Sequence, residues 1–489
     1  MNESAPPRVA NATPLDPASI RRIIIGVILA MLLAAIDQTI VATALPTIGN
    51  ELKDLEHLPW VVTAYLLSAT AVTPFYGKLA DIVGRRTMLL TGISIFLFGS
   101  ILCALAPSMW ILIGARFVQG LGGGGLIALA QTIVADIVAP KERMRYQAYF
   151  ASVFVTSSIA GPILGGFFAE RLHWSFIFWI NIPLGLLALG MTNGALKRLP
   201  RHERRHKLDI IGAVLMVAAT VALLLALSWG GGLYPWSSFE ILGLIAVSAV
   251  AWVLFVWRLT TAPEPFVPLA VMFNPVVAAG TASNFFVVGT VVALTIYLPI
   301  YFEAVIGLSA SQSGLALIAF AGGTVVGAQI AGRIIAWTTH YKRGPFVGLL
   351  VGIVATIVLA FTATRQTLLS VEILLAIAGI GMGTIFPTTT VAVQNAVEPH
   401  QLGTATASFN FFRSLGSAIL VAVFGAIFLG GLGLGGTAIG SLDQLVAAAA
   451  ANGTAVAPVF QYVFGAAAAV LVLGFFCFAA MKELPLRGR

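Results

Sequence analysis

Fourteen apolar tracts, each about 20 residues long, recur along the 489-residue chain and leave little room for any other architecture. Their limits are 22–44, 59–80, 88–106, 109–131, 147–168, 174–196, 210–229, 239–258, 278–302, 313–337, 345–363, 370–392, 405–430 and 459–481. A helix needs that length to cross a bilayer core. In hydrocarbon its backbone polar groups must be satisfied within the segment. The pattern therefore predicts an all-α polytopic membrane protein with 14 transmembrane helices. Composition agrees, with 59% hydrophobic and 9% charged residues, against about 25% charge in soluble domains. This excludes a disordered chain, a secreted disulfide scaffold and an ordinary soluble enzyme. Cys103 and Cys477 both lie in apolar tracts and read as packing residues, not a disulfide pair. The first tract holds an acid and lacks a small-residue cleavage site, so it is expected to be retained.

Orientation follows from Lys and Arg, which concentrate on the cytoplasmic side of membrane proteins. With the N-terminus inside, the inner segments hold 22 of the 27 basic residues and the outer segments hold 3, Lys53, Arg171 and Arg365. The remaining two, Arg116 and Arg413, lie within tracts. The split predicts an even span count, both termini in the cytoplasm and residence in the cytoplasmic (inner) membrane. It also accounts for the net charge of +8 without nucleic acid, since basic loops face anionic headgroups. No P-loop sequence G-x-x-x-x-G-K-[ST] occurs, so pumping would draw on an ion gradient.

Three motifs mislead. His202-Glu203-Arg204-Arg205-His206 matches a zinc-protease pattern, but two arginines separate the histidines and no third ligand is evident. It reads as a cationic anchor, and no metal or cofactor is expected. Gly120, Gly122 and Gly125 match a nucleotide fingerprint, but they sit inside an apolar tract, where they serve close helix packing. Asn452-Gly453-Thr454 is a formal glycosylation sequon in an outer loop.

Charge within a span is costly and usually functional. Asp37 is the one acid deep in a tract. Arg116 lies at matching depth in the fourth, both roughly 10 Å below the outer boundary at 1.5 Å per residue. Opposite charge at equal depth makes them candidate partners. Burial disfavours a charged carboxylate and a nearby cation favours it, so a change in their separation would let Asp37 take up or release a proton. The alternative is a permanent ion pair pinning two helices. Between the second and third tracts, Gly77, Lys78, Asp81, Gly84, Arg85 and Arg86 form a short loop with one acid among three bases. Arg85 with Asp136 would make a charge network able to latch one conformation. In the fifth tract Gly161 and Gly165 set a small-residue face, Gly166 follows, and Pro162 kinks the helix. Arg413 lies in the thirteenth beside Asn410. Together with Gln119, Asn284, Phe285 and Tyr297 it is a candidate for lining a substrate cavity.

On these residues the chain resembles the major facilitator superfamily, and within it the fourteen-span drug:proton antiporters of the EmrB/QacA type. Ile36 to Pro46 resembles that family's first-span motif, 77–86 its loop motif, and Arg116 to Gly120 its fourth-span motif. Gly161-Pro162 with Gly165-Gly166 resembles the antiporter motif, and Phe409 to Gly416 the thirteenth span. The resemblance implies a major facilitator fold arranged 6+2+6. It divides the chain into a cytoplasmic tail at 1–21, a six-helix bundle at 22–196 and a basic linker at 197–208. Two inserted helices at 209–258, a linker at 259–277, a second six-helix bundle at 278–481 and a tail at 482–489 complete it. The two bundles would be pseudo-symmetric. It implies that Asp37 takes the proton and Arg116 assists, that Gly161 and Pro162 lie at an antiporter hinge, and that Asp81 and Arg85 serve the latch. Three positions depart from the pattern: Ile82 replaces a usual base, 332–343 lacks the matching acid, and Glu303 stands where Gln is frequent. The extra acids used for dicationic drugs are absent from the tracts.

The expected function is proton-driven export of amphipathic small molecules or drugs by alternating access, conferring antibiotic resistance. Expected partners are a small-molecule substrate, protons and the lipid bilayer, with a periplasmic adaptor if the cell is Gram-negative. Alternatives are a dedicated exporter of a lipid, siderophore or metabolite, and a transport-fold receptor that does not pump. An uptake symporter is disfavoured by Gly161-Pro162. No catalytic constellation supports an enzyme.

Overall fold

The computed structural model describes residues 17–54, 57–196, 209–231, 234–267, 269–337, 340–365, 367–432 and 455–485. The H-E-x-x-H run, the sequon and most of both tails lie outside the described residues. Apart from one isolated bridge between Gly230 and Tyr234, the described segments are helices joined by short turns. Helices α1 (Pro17–Glu51), α2 (Leu58–Val83), α3 (Arg85–Ala104), α4 (Met109–Gly123), α5 (Leu126–Ile137), α6 (Pro140–Arg171), α7 (Phe176–Trp179) and α8 (Asn181–Ala195) pack among themselves. Then come α9 (Ile210–Trp229) and α10 (Phe239–Thr261), a hairpin, and the four-residue α11 (Leu269–Met272). Helices α12 (Pro275–Tyr301), α13 (Ala310–Trp337), α14 (Arg343–Thr362), α15 (Leu368–Gly383), α16 (Ile385–Asn395), α17 (Leu402–Gly431) and α18 (Val456–Ala480) form the second group.

Thirteen helical segments among the described residues are long and apolar enough to cross a membrane. The expectation of fourteen is thus met for thirteen. The second tract, 59–80, folds as the 26-residue helix Leu58–Val83, which falls outside that set, with Thr63, Ser68, Thr70, Thr73 and Lys78 in its run. Boundaries differ from the apolar tracts in one consistent way. Helix α1 continues to Glu51 and α6 begins at Pro140, because helical hydrogen bonding does not stop where hydrophobicity does. The fourth and twelfth tracts each break in the middle, at Gly123–Gly125 and at Thr384.

Each group of helices has its own apolar core. Phe96, Ile93, Leu126 and Ile133 anchor the first, and Phe320, Leu375, Phe424 and Phe460 the second. The groups meet where α17 packs on α2 and α5, and where α6 packs on α13 and α16. The inserted hairpin leans on α2 and α17 at this seam, through Met216, Phe255, Phe266, Phe411 and Leu415.

The hairpin is stapled at its base by a single carboxylate. Asp209 caps α9 by accepting from Gly212 N at 3.1 Å, and the same oxygen accepts from Arg258 Nε at 3.0 Å. Asp209→Ala should cost the cap about 1–2 kcal/mol, read as faster hydrogen–deuterium exchange over 209–215 with exchange in α12–α18 unchanged.

Candidate functional site

Five helices converge on the Asp37 carboxylate, which is 0% exposed. Arg116 Nη1 donates to its Oδ2 at 2.5 Å. Gln119 Nε2 donates to Oδ1 at 2.7 Å, and Asn181 Nδ2 donates to the same oxygen at 3.1 Å. Arg116, 1% exposed, spends its other donors inward. Its Nη1 also reaches Gln119 Oε1 at 2.6 Å, and its Nε reaches the carbonyl of Val61 at 3.1 Å. Its guanidinium lies 4.3 Å from the ring centroid of Tyr65. Ser100 closes the network by accepting from Gln119 at 2.8 Å and from Asn181 at 3.3 Å. Burying two charges costs several kcal/mol per ion unless geometry and neighbouring hydrogen bonds compensate. Here α1, α2, α3, α4 and α8 each contribute to that compensation. Arg116 and Gln119 are three residues apart on α4, so helical spacing puts both on one face.

At the basic end a second network crosses between the two groups of helices. Asp81, near the end of α2, accepts from Gly403 N at 3.1 Å, from Thr404 N at 2.7 Å and from Thr404 Oγ1 at 2.6 Å. It therefore caps α17, where a negative charge also meets the positive end of the helix dipole. Arg85 holds it from behind, donating to Asp81 at 2.5 Å and to Asp136 at 2.9 Å. Gly77 and Gly403 allow the approach, since a Cβ built on Gly77 would lie 2.5 Å from the Gly403 carbonyl oxygen. Gly84, at φ 104°, turns the chain from α2 into α3. Arg86 works elsewhere, donating to the carbonyl and the side-chain oxygen of Asn193 at the end of α8. One turn and a half further along α17, Asn410 Nδ2 donates to Gln131 Oε1 at 2.7 Å, again across the seam.

On α6, Gly161 and Gly165 face α1 within the same group, not the second group. A Cβ on Gly165 would lie 2.4 Å from the Ile40 carbonyl oxygen. Thr39 Oγ1 donates to the Ser157 carbonyl at 2.8 Å, tying α6 to α1 two residues from Asp37. Gly166 meets nothing within 4 Å. Pro162 lies within α6, and its side chain falls outside the described residues.

The candidate cavity residues divide. Gln119 is 0% exposed and belongs to the Asp37 network, which corrects its expected place on a cavity wall. Asn284 is buried and donates to Thr389 Oγ1 at 2.9 Å, and Phe285 packs on Gly416, both within the second group. Tyr297 donates to the Val421 carbonyl at 3.2 Å. Asn410 is buried in the seam. Arg413 and the rings of Phe285 and Tyr297 stay partly exposed. Sequence reasoning missed Ser100, Asn181, Tyr65, Gln131 and Thr404. The available signal was a neutral polar side chain in an apolar span, and that signal is too common to single them out.

The Major Facilitator Superfamily profile matches residues 27–421. Multidrug resistance protein 3 of Bacillus subtilis is 33% identical over 417 residues, covering 85% of this chain and 81% of that one. Multidrug transporter protein MdtP of the same organism is 34% identical over 406 residues, covering 83% and 74%. Among solved structures, the human organic anion transporter MFSD10 has the same fold at a TM-score of 0.64 and 16% identity, covering 94% of this chain and 99% of that one. With a buried charge pair, a two-group helical body and these relatives together, the chain belongs to the Major Facilitator Superfamily and is a membrane transporter, not an enzyme.

Proposed function

We propose that the protein is a proton-coupled antiporter that exports amphipathic small molecules across the cytoplasmic membrane by alternating access. The observation that carries this reading is the Asp37–Arg116 pair, fully enclosed within membrane-spanning helices. A purely structural pin at this depth would be expensive compared with apolar packing, whereas a coupling group must be buried to be read by the fold. A proton on Asp37 would compete with Arg116 for the same oxygen lone pair. Arg116 would then fall back on Gln119 and the Val61 carbonyl, and the crossing of α1 with α4 would lose its shared charge. Relatives named as multidrug transporters support an exporter, as do the fourteen apolar tracts and their basic inner loops. Both termini would lie in the cytoplasm, and the arrangement would be six, two and six spans.

The energy is adequate. A potential of about 100 mV contributes about 2.3 kcal/mol per proton, and one pH unit adds roughly 1.4 kcal/mol. One proton per neutral substrate could then hold a gradient on the order of 500-fold. In the state described here every hydrogen bond found between the two groups, among the described residues, lies toward the cytoplasmic end. This supports reading the structure as the form closed to the cytoplasm, with Asp81 as its latch and α6 as the pliable element beside it.

Two measurements test this. In proteoliposomes with an imposed pH gradient, Asp37→Asn should abolish uphill movement of a dye that wild type concentrates. Asp37→Asn/Arg116→Gln, which leaves no uncompensated buried charge, should be equally inactive yet melt closer to wild type. Uphill movement by either variant would remove Asp37 from the mechanism. For the latch, Asp81→Asn should lengthen spin-label distances across the seam at its cytoplasmic end. Losing about 1.5 kcal/mol of charge-assisted hydrogen bonding would shift the closed-to-open ratio about tenfold, and an unchanged distance distribution would exclude the latch.

A further inference from the structure

We propose that Arg413 is an anion-recognition site, and that the molecules this transporter carries are amphipathic and present an acidic group to it. The proposal deepens the reading of the chain as an exporter and rests on it for the direction of transport.

Arg413 follows Leu402, the first residue of α17, by 11 residues, which puts it about 16 Å along the helix and near the middle of a bilayer core of about 30 Å. An arginine there is costly unless it is paired or faces water. Among the described residues Arg413 has no ion pair and its side chain makes no hydrogen bond, in contrast to Arg116. Its guanidinium carbon lies 5.9 Å from the ring of Phe154, on α6 of the opposite group. The residue is partly exposed while its guanidinium reaches a ring of the opposite group, which places it at the seam, where any space between the groups would adjoin it. Ser158, one turn along α6 from Phe154, is exposed as well, its hydroxyl donating to the Phe154 carbonyl at 2.9 Å.

The order of contacts along α17 sets where Arg413 stands relative to the clamped end of the seam. Gly403 and Thr404 are clamped by Asp81, and Asn410 is clamped by Gln131. Arg413 is the next residue on the Asn410 face, about one turn past the last of these clamps. Charge decides what the space favours. Asp37 is neutralised by Arg116 and sealed from it. The buried polar groups of the second group, Asn284, Thr389 and Gln394, are neutral. Arg413 is left without a counter-charge among the described residues, so it disfavours a cation beside it and offers a planar, five-donor partner to a carboxylate, sulfonate or phosphate. Phe154 supplies the apolar surface that the rest of an amphipathic anion would cover.

The test uses the full chain in phosphatidylcholine nanodiscs, with 11-(dansylamino)undecanoic acid and its methyl ester as probes of equal shape. Wild type should bind the acid about tenfold or more tightly than the ester, as a charge-assisted pair implies. Arg413→Gln should lose that preference through weaker acid binding alone, and Arg413→Lys should keep part of it. Equal binding of acid and ester, or a preference that survives Arg413→Gln, overturns the proposal. Titrating phosphatidylglycerol into the nanodisc separates solute from lipid: displacement of the acid assigns the site to a headgroup and overturns a free substrate, whereas unchanged binding supports one. Transport in proteoliposomes separates this inference from the exporter reading. Uphill movement of a cationic dye with no acid preference removes the anion site alone. Selective binding of the acid without uphill movement under a pH gradient keeps the site and removes the pump.

Discussion

The Asp37–Arg116 pair is the constraint around which the first bundle is built. Two charges brought out of water are tolerable only if every lone pair and N–H finds a partner. Gln119 and Asn181 donate to the carboxylate, Ser100 accepts from both, and Tyr65 covers the guanidinium face. Because those groups come from five helices, the pair ties together most of one bundle. Any change in the carboxylate's protonation is then felt by all of them, which is what a coupling element requires.

The seam between the bundles follows a different logic. It is held at one end by polar contacts that are few and directional: Asp81 on the start of α17 and Gln131 on Asn410. Such contacts can be exchanged at modest cost, because water can replace them. An apolar interface of equal extent would have to expose hydrocarbon to separate. Glycines at 77 and 403 bring the backbones close enough for a carboxylate to reach the orphan N–H groups of a helix start. The result is a contact that is specific without being permanent, placed between bodies whose own cores are large and dry.

The two halves are alike in packing but not in charge. The first bundle pairs Asp37 with Arg116 internally and sets Asp81 against the start of α17, while the buried polar groups Asn284, Thr389 and Gln394 of the second are neutral and Arg413 lies at the edge of the seam. The inserted hairpin adds apolar contact at the same seam through Phe255, Phe266 and Phe411. It widens the surface in lipid without adding a charge deep in its spans.

Span length and loop charge were legible from residue order alone, because lipid imposes a length on every crossing helix and a bias on every basic loop. So were the identities of Asp37 and Arg116, since a charge in an apolar tract stands out against its neighbours, and of Asp81, the one acid in a short basic loop. The pairing of Asp37 with Arg116 could be anticipated from equal depth, a one-dimensional quantity. What depended on three dimensions was everything set by which helix faces which. Gln119 turned inward to the carboxylate instead of lining a cavity, and Ser100 and Asn181 proved to be its partners. Gly161 and Gly165 met α1, and Thr404 became the seat of the Asp81 cap. Neutral polar residues occur in nearly every span, so their partners are fixed only when rotation and crossing angle are fixed. Those depend on packing against residues hundreds of positions away.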